Sequence, residues 1–519
     1  MGLVLGIDVS TTATKAVLVD PTGAVRAVSS SEYRVAMPHP LWSEQDPTEW
    51  WQAAVTAIRG ALSIAGATGA EVEAVGLTGQ MHGAVLLDAA GAVLRPAILW
   101  NDQRTADECD EIRRIVGADR LIAISGNDAL AGFTAPKLLW VRRHEPEVWA
   151  RFAHLLLPKD YARFRLTGDR AMDKADGSGT ILFDLARRTW SAELLDVLGL
   201  DPACFPATFE GPEVTGGVSA AAASATGLVR GTPVVAGGGD QAANGVGVGA
   251  ISEGTVALSL GTSGVIFAAT NQPLHEAKGR VHAFCHAVPG RWHLMSVMLS
   301  AAGSLRWFRD ALVPGEDFGV LAASAAEVEA AEGGLFFLPY LSGERSPHPD
   351  PLARGAFVGL SLQHDRRHLV RAVLEGVAFG LREGLDLMIA AGMPRPNEIR
   401  ASGGGLASAT WRQILADVLE ADLVTPSTTE GAAFGAAVLA AVGAGWFADV
   451  PAAVAALVRT TPGASPGTAA KGYQGTYASY RELYPALAPI FHRPAWGTEP
   501  ATPGVRRELT GGARRGRAR

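Results

Sequence analysis

The sequence contains few cysteines and no long apolar run. Its three cysteines, Cys109, Cys204 and Cys285, lie far apart and form no C-x-x-C pair. This spacing excludes a disulfide framework and a thiolate zinc site, and it suits a reducing compartment. No apolar stretch reaches the roughly 18 residues that a bilayer-spanning helix needs, and the amino terminus reaches the charged Asp8 too early for a signal peptide. We therefore expect a cytoplasmic protein with no membrane partner.

Excess positive charge is also missing. The chain has 45 Lys and Arg against 52 Asp and Glu, which gives a net charge of −7. This balance argues against nucleic acid as a partner. The exception is residues 501–519, where arginines lie among glycine and proline. Such a segment has too little apolar surface to fold, so we predict a disordered, Arg-rich tail there.

A third absence concerns nucleotide motifs. No G-x-x-x-x-G-K-[ST] sequence occurs, so the chain is not a P-loop protein. Residues 245–250 match a loose G-x-G-x-x-A pattern, but helix-like residues from Gln241 onward precede them. A dinucleotide-binding motif opens its helix directly after a strand. A nucleotide site in this chain must therefore be of another kind.

The most informative segment that is present is the glycine run before Asp240. Pro233–Val235 and Ala236 form a short apolar run that predicts a buried strand, and Gly237, Gly238 and Gly239 follow it. Open α/β sheets bind ligands beyond such strand ends, and glycines let the backbone approach a ligand closely. Asp240 is therefore a candidate general base for a hydroxyl proton. The alternative is a turn aspartate that caps a helix beginning near Gln241.

Two similar hairpins lie about 250 residues apart in the sequence. The first has strands over 3–9 and 14–20 around Ser10, Thr11 and Thr12; the second has strands over 255–260 and 265–269 around Gly261 and Thr262. Turns this short require antiparallel pairing. The repetition indicates duplicated domains that face each other across a cleft. Each tip presents hydroxyl and N–H groups suited to phosphates, although an ordinary turn is the simpler alternative.

Other candidate ligand groups follow predicted strands. Gly404 and Gly405, between a strand and a helix, offer bare backbone to an adenosine group or allow close helix–strand packing. Met81 and His82, and also Trp100 and Asn101, combine polar groups with apolar faces, as a sugar site requires. A lone histidine or tryptophan is more often a structural residue. Asp8, at the end of the first strand, suits Mg²⁺, which takes one or two carboxylates and several waters.

The length of 519 residues predicts more than one domain. Composition and the repeated hairpin place an N-terminal domain, which holds the candidate sugar contacts, at 1–249 and a C-terminal domain, which holds the candidate adenosine contacts, at 250–445. After Gly443 the sequence becomes rich in Ala, Pro and Thr, so the second core is expected to end there. Residues 446–500 are then an extension that carries a surface helix near 473–490.

Several spaced blocks resemble the FGGY family of carbohydrate kinases. The similarity extends almost continuously from Leu3 to Val442. The blocks are HPLWSEQDP at 39–47, QMHG at 80–83, RPAILWND at 95–102, FTAPKLLWV at 133–141, LPYLSGER at 338–345, and GAFVGL at 355–360. Within the family, the Met81-His82 pair is similar to that of the members that phosphorylate D-xylulose, whereas glycerol-phosphorylating members carry Arg-Glu there.

The resemblance implies an α/β fold of two actin-like, ribonuclease-H-like domains that close on ATP and a sugar. It implies that Asp240 is the general base and that Asp8 supports Mg²⁺, directly or through water. The sugar contacts that it implies are Met81, His82, Trp100, Asn101, Asp240 and Gln241. The ATP contacts that it implies are Thr11, Thr12, Gly261, Thr262, Gly404 and Gly405. The implied reaction is phosphorylation of D-xylulose to D-xylulose 5-phosphate.

Two positions depart from the family pattern. Ser10 stands where glycine is usual, so its side chain affects the phosphate-facing loop, and Gln241 stands where asparagine is frequent. Alternatives remain at the level of function. They are a kinase for a related sugar such as ribulose, and a non-catalytic nucleotide-binding sensor, because actin-like folds also build filaments and chaperones. A homodimer is an open alternative for the assembly.

Overall fold

The structure is a computed structural model that describes residues 2–330, 332–428 and 430–493. The predicted tail at 501–519 and the end of the predicted extension lie outside the described residues. In chain order the strands are β1 Leu3–Val9, β2 Ala13–Val19, β3 Val25–Glu32, β4 Glu44–Gln45, β5 Val72–Gly79, β6 Val85–Leu87, β7 Ala97–Ile98, β8 His154–Leu156, β9 Ala171–Asp173, β10 Phe183–Asp184, β11 Thr189–Trp190, β12 Ala207–Phe209, β13 Val214–Gly217, β14 Pro233–Val235, β15 Gly238–Gly239, β16 Thr255–Leu260, β17 Gly264–Thr270, β18 His282–Cys285, β19 Trp292–Met298, β20 Phe336–Leu338, β21 Ala356–Val358, β22 Glu398–Ser402, β23 Asp422–Pro426 and β24 Thr460–Ala464.

The helices connect and cover these strands. They are α1 Pro47–Ala65, α2 Ala106–Val116, α3 Ala118–Ser125, α4 Thr134–His144, α5 Pro146–Trp149, α6 Pro158–Thr167, α7 Lys174–Ser178, α8 Ala192–Val197, α9 Ala220–Thr226, α10 Asp240–Val248, α11 Ala302–Leu312, α12 Phe318–Ser324, α13 Arg366–Ala390, α14 Ala409–Leu419, α15 Gly431–Gly443, α16 Val450–Leu457 and α17 Ala470–Phe491. None of the helices in the described ranges combines the length and the apolar character needed to cross a membrane.

Two seven-stranded sheets organise the chain, and they repeat one topology. In the first, β1 pairs antiparallel with β2 and parallel with β5, and β14 continues the parallel side. In the second, β16 pairs antiparallel with β17 and parallel with β22, and β23 continues the parallel side. The two predicted hairpins therefore occupy equivalent places in two α/β sheets. This arrangement supports the duplication indicated by the sequence.

Helices α10 and α15 pack closely together through small residues. A Cβ on Gly435 of α15 would lie 1.8 Å from the Ala243 carbonyl oxygen of α10. Helix α15 also covers the first sheet, because a Cβ on Gly6 of β1 would lie 2.0 Å from the Ala433 carbonyl oxygen. Glycines at these contacts bring the end of the second half of the chain against the strand that carries Asp8.

The second core continues beyond residue 443, which differs from the expectation that it ends there. Strand β24 pairs antiparallel with β23 at the edge of the second sheet. Helix α17 buries Tyr473, Tyr477 and Tyr480 in the second core, so it is not a helix that merely lies on the surface. The spacing of these tyrosines places them on one helical face, and that apolar face requires a partner.

Candidate active site

The glycine run before Asp240 places that residue at the edge of the first sheet. Gly237 has a φ of 80°, and a Cβ there would lie 1.8 Å from the Leu77 carbonyl oxygen. Strand β15 then pairs parallel with the end of β5. Asp240 is the first residue of α10, and its Oδ1 accepts a hydrogen bond of 2.7 Å from the Gln241 N–H. Among the described residues, the neighbouring Gln241 supplies the hydrogen bonds to this carboxylate.

The surroundings of Asp240 bring its proton equilibrium close to neutral pH. Burial, and secondly the nearby negative charge of Asp8, raise the pKa of Asp240 to about 7. Asp8 of β1 lies opposite Thr78 of β5, and Thr78 in turn lies opposite Gly238 of β15. Two carboxylates therefore converge at the carboxyl ends of the strands on either side of β5. A base with a pKa near the operating pH is suited to accept a proton from a hydroxyl.

Asp8 has one oxygen that a cation could use. Its Oδ2 accepts a hydrogen bond of 2.7 Å from Ser10 Oγ, while its buried Oδ1 has no hydrogen-bond partner among the residues that the structure describes. Burial raises the pKa of Asp8, and the Ser10 hydroxyl and Lys15 oppose that shift. An orphaned carboxylate oxygen is a hard ligand of the kind that Mg²⁺ takes. No group of three or more His, Cys, Asp or Glu side chains arranged for a metal occurs in the described ranges.

The first hairpin tip is held by surrounding side chains. Tyr33 Oη donates to the Ser10 carbonyl at 2.6 Å, and Gln45 Nε2 donates to the Thr11 carbonyl at 2.7 Å. Trp100 is partly exposed, and its Nε1 donates to Thr11 Oγ1 at 3.0 Å. Thr12 is exposed at the tip. The predicted sugar contact Trp100 therefore also fixes a predicted phosphate contact.

The second hairpin tip adjoins the start of α11. The Thr262 carbonyl accepts from Ala301 N–H at 2.9 Å, and the Gly261 carbonyl accepts from Ala302 N–H at 2.9 Å. Gly261 and Thr262 line a cavity of about 660 Å³ that Gly404 and Gly405 also line. This cavity is mostly apolar in its residues, with α11, α12 and the start of α14 as walls. Its size and lining suit an adenosine group.

The two glycines at the cavity have different roles. A Cβ on Gly404 would meet no atom within 4 Å, whereas a Cβ on Gly405 would lie 2.6 Å from Leu260 Cδ2. Gly404 leaves an open face toward the cavity. Gly405 allows the close packing against β16 that the sequence offered as the alternative.

A second cavity, of about 690 Å³, lies between the halves of the chain. Asp8, Lys15 and Asn244 line it from the first half, and Gly404 and Glu430 line it from the second. Lys15 Nζ lies 2.5 Å from Glu430 Oε2, so an ion pair joins the two sides. Gly404 belongs to both cavities, and the two therefore adjoin. The space extends from an apolar chamber to the carboxylates of the first sheet.

Met81 and His82 lie directly beside the candidate base. A Cβ on Gly239 would lie 2.8 Å from Met81 Cγ, so Met81 is packed against the residue that precedes Asp240. His82 Nδ1 lies 2.8 Å from the Gly179 carbonyl oxygen, a contact in which Nδ1 carries the proton. Burial, with Lys137 and Arg345 adding to it, lowers the pKa of His82 well below its ordinary value. The neutral ring leaves Nε2 as an acceptor for a hydroxyl.

Helix α4 holds His82 in an unusual conformation, a role that was not predicted from the sequence. His82 has a φ of 67°, which is uncommon outside glycine. Its carbonyl oxygen accepts from Thr134 Oγ1 at 3.0 Å and from Lys137 Nζ at 2.8 Å. Burial lowers the pKa of Lys137 to about 7. The FTAPKLLWV block drew attention to these residues, but only the structure shows which backbone group they bind.

A buried charge cluster supports the other side of Met81. Lys159 Nζ lies 2.5 Å from Asp173 Oδ2, 2.7 Å from Asp160 Oδ1 and 3.2 Å from Asp176 Oδ2, and all four side chains are fully buried. A Cβ on Gly239 would lie 3.3 Å from Asp176 Oδ1. These buried ions therefore lie beside Gly239, the residue that precedes the candidate base.

The two remaining predicted sugar contacts are Gln241 and Asn101. Gln241 is partly buried next to Asp240, and its backbone N–H is the donor to Asp240 Oδ1. Asn101 is exposed, and its side chain forms no hydrogen bond within the part of the chain that the structure describes. Both remain predictions as sugar contacts.

The chain matches known families and proteins along most of its length. The N-terminal domain of the FGGY family of carbohydrate kinases matches residues 3–247, and the C-terminal domain of that family matches residues 256–444. A xylulose kinase of Escherichia coli (strain K12) is 47% identical over 444 residues, or 85% of this chain and 90% of the relative. A xylulose kinase of Bacillus subtilis (strain 168) is 37% identical over 93% of this chain and 97% of the relative.

A solved structure has the same fold. The crystal structure of xylulose kinase from Rhodospirillum rubrum matches with a TM-score of 0.88 and 36% identity, and covers 95% of this chain and 100% of that one. These similarities confirm the family resemblance and the two-domain α/β fold that the sequence predicted. With both family domains matched in order, and with the two hairpins, the glycine run and the converging carboxylates in place, the chain belongs to the FGGY family of carbohydrate kinases.

Proposed function

We propose that this protein transfers the γ-phosphoryl group of ATP to the 5-hydroxyl of D-xylulose. The observation that carries the proposal is the contact between Gly239 and Met81, which joins the base Asp240 to the Met81-His82 pair. The relatives that are named xylulose kinase support the choice of sugar. A neutral His82 acceptor beside an apolar methionine suits a sugar, which has both hydroxyls and carbon faces.

In the proposed reaction Asp240 acts as the general base. Its ionised Oδ2 accepts the proton of the 5-hydroxyl while that oxygen attacks the γ-phosphorus. The new O–P bond forms as the bond from the γ-phosphorus to the bridging oxygen breaks, and ADP leaves with that oxygen. Because phosphoryl transfer needs little covalent help, positioning and electrostatics account for most of the rate.

The nucleotide fits the two adjoining cavities. The adenosine group would occupy the cavity of about 660 Å³ beside Gly404, with the phosphates directed toward the two hairpin tips. Thr11, Thr12 and Thr262 would donate hydrogen bonds to the phosphates. Asp8 Oδ1 would hold Mg²⁺, directly or through water, and Mg²⁺ would offset negative charge on the β- and γ-phosphates. Closure of the cleft would exclude water as a competing acceptor.

The test is an ADP-release assay with Mg·ATP and D-xylulose, ribulose, glycerol or no sugar. We expect a strong preference for D-xylulose and little ADP without sugar. Activity on ribulose instead would retain Asp240 as base and overturn the assignment of the sugar. If the protein binds ATP and closes on its ligands but forms no product with any sugar, the sensor alternative replaces the enzyme.

A further inference from the structure

The segment after β20 belongs to the second half of the chain. It brings Arg345 close to His82 of the Met81-His82 pair, which belongs to the first half. It is anchored to β19, since Ser346 N–H donates to the Val297 carbonyl at 3.1 Å and Leu299 N–H donates to Glu344 Oε1 at 2.9 Å. Ser346 Oγ also donates to the Arg280 carbonyl at 2.7 Å. These bonds fix the backbone on both sides of Arg345.

The side chain of Arg345 has no bonding partner among the described residues. It is partly buried, yet its guanidinium forms no hydrogen bond or ion pair there. By contrast, the buried Arg104 is paired with both Asp102 and Glu44. Burial lowers the pKa of Arg345 to about 10, and no acidic group offsets this effect. The N–H donors of this guanidinium are therefore left for a ligand that carries hydrogen-bond acceptors.

The Arg345 guanidinium lies close to the Met81-His82 pair. Its Nη2 is 3.9 Å from the position that a Cβ on Gly132 would take. The next residue, Phe133, contacts His82 with its ring edge-on. The charge of Arg345 adds to burial in lowering the pKa of both His82 and His282. His282 is buried, and its Nε2 has no hydrogen-bond partner in the described part of the chain. Arg345 therefore lies near both histidines.

We propose that Arg345 binds the ketone end of the sugar and donates parallel N–H groups to the C2 carbonyl and the C1 hydroxyl. The inference rests on the proposed function, because it assumes a 2-ketose whose 5-hydroxyl lies at Asp240. Gly239, next to Asp240, packs against Met81, and Arg345 lies near His82, so the proposal places the end of the sugar opposite the 5-hydroxyl at the guanidinium. A planar guanidinium presents two donors to two adjacent oxygens, and His82 Nε2 accepts the hydroxyl proton.

The proposal changes the division of labour between the two halves of the chain. The first half supplies the base and the Met81-His82 pair, and the second half, expected to bind only ATP, completes the sugar site through Arg345. Sugar binding then requires closure of the cleft, which brings the two sheets together. Arg345 lies in the LPYLSGER block, to which the sequence alone assigned no role.

The test measures steady-state constants of Arg345→Gln and Arg345→Lys. A hydrogen bond to a charged group contributes about 1.5–3 kcal/mol, so R345Q should raise KM for D-xylulose by about 10- to 100-fold. KM for ATP should stay within about threefold, and R345K should fall between wild type and R345Q because it keeps the charge without the fork. Arg354→Gln is the matched control, since Arg354 donates only to the Pro351 and Ala353 carbonyls nearby.

A substrate that lacks one oxygen locates the contact. Wild type should show at least a tenfold higher KM for 1-deoxy-D-xylulose than for D-xylulose, and R345Q should show a difference of less than threefold. An unchanged KM for D-xylulose in R345Q, with wild type active, overturns the assignment of Arg345 alone. Wild type without activity on D-xylulose overturns the proposed function instead. Should R345Q fail to fold by circular dichroism, the R345K constants decide the question.

Discussion

At the scale of single residues, the carboxylate of Asp240 is the group on which the proposed chemistry depends. Replacing Asp240 by Asn keeps the size of the side chain and removes the base. We expect kcat to fall by about two to four orders of magnitude, the usual contribution of a general base. The control is Asp88→Asn, a turn aspartate that accepts from Ala90 and Ala92 N–H groups. Turnover of D240N within threefold of wild type would refute the role.

The raised pKa of Asp240, about 7, predicts a pH profile. The base must be ionised, so kcat/KM for the sugar should fall about tenfold per pH unit below pH 7 and level off above it. Because the charge of Asp8 contributes to the shift, Asp8→Asn should move this limb to lower pH, whatever its effect on the rate. Initial rates between pH 5.5 and 8.5 measure both profiles. A flat wild-type profile would contradict the assignment.

At the scale of elements, the first turn of α4 holds the backbone of His82 in place. Thr134→Val removes the hydrogen bond to the His82 carbonyl and leaves the side-chain volume nearly unchanged. A buried neutral hydrogen bond contributes about 1 kcal/mol. We therefore expect KM for the sugar to rise roughly three- to tenfold, with KM for ATP unchanged. Thr226→Val, which loses a similar buried bond to the Ala222 carbonyl in α9, should lower stability only. Equal sugar KM values in the two variants would exclude this role of α4.

The contact between α10 and α15 depends on the absence of side chains. In Gly435→Ala the new Cβ would meet the Ala243 carbonyl oxygen at 1.8 Å, so the two helices must separate. Overpacking of this kind costs about 1–3 kcal/mol. Thermal unfolding should begin at a lower temperature, and kcat should fall because α10 starts at Asp240. The control is Gly472→Ala in the exposed part of α17, where nothing lies within 4 Å and alanine favours the helix. A G435A midpoint at or above that of wild type would contradict this account.

At the scale of the whole molecule, the sequence predicted the features that depend on residues close together in the chain. The short turns after β1 and β16 required antiparallel pairing, and their similarity indicated two equivalent sheets. The glycine run predicted the position of Asp240 past a strand. The anchoring of His82 by Lys137, the approach of Arg345 and the burial of the α17 tyrosines depend on contacts between distant segments. The spacing of the tyrosines indicates an apolar helical face but not its partner, and no motif specifies the other two contacts, so only the folded arrangement could show them.

A sugar held between Asp240 of the first sheet and Arg345 of the second should couple the two substrates. Binding of a non-hydrolysable ATP analogue across the cleft brings the sheets together, and the sugar then finds both ends of its site formed. Coupling of this kind amounts to about 5- to 150-fold in affinity. We expect the Kd of D-xylulose in isothermal titration to fall by at least fivefold when the analogue saturates the protein. Small-angle scattering should show a smaller radius of gyration with both ligands than with neither.

The same coupling must be lost in Arg345→Gln if the guanidinium is the link. In that variant the analogue should change the sugar Kd by less than twofold, while the analogue itself binds as in wild type. Linkage requires the sugar to tighten analogue binding by the same factor in wild type, which provides an internal check. A wild-type sugar Kd that is independent of the analogue would mean that the first sheet binds the sugar alone. Coupling that survives in R345Q would assign it to other contacts across the cleft, with the Lys15–Glu430 ion pair as the first to examine.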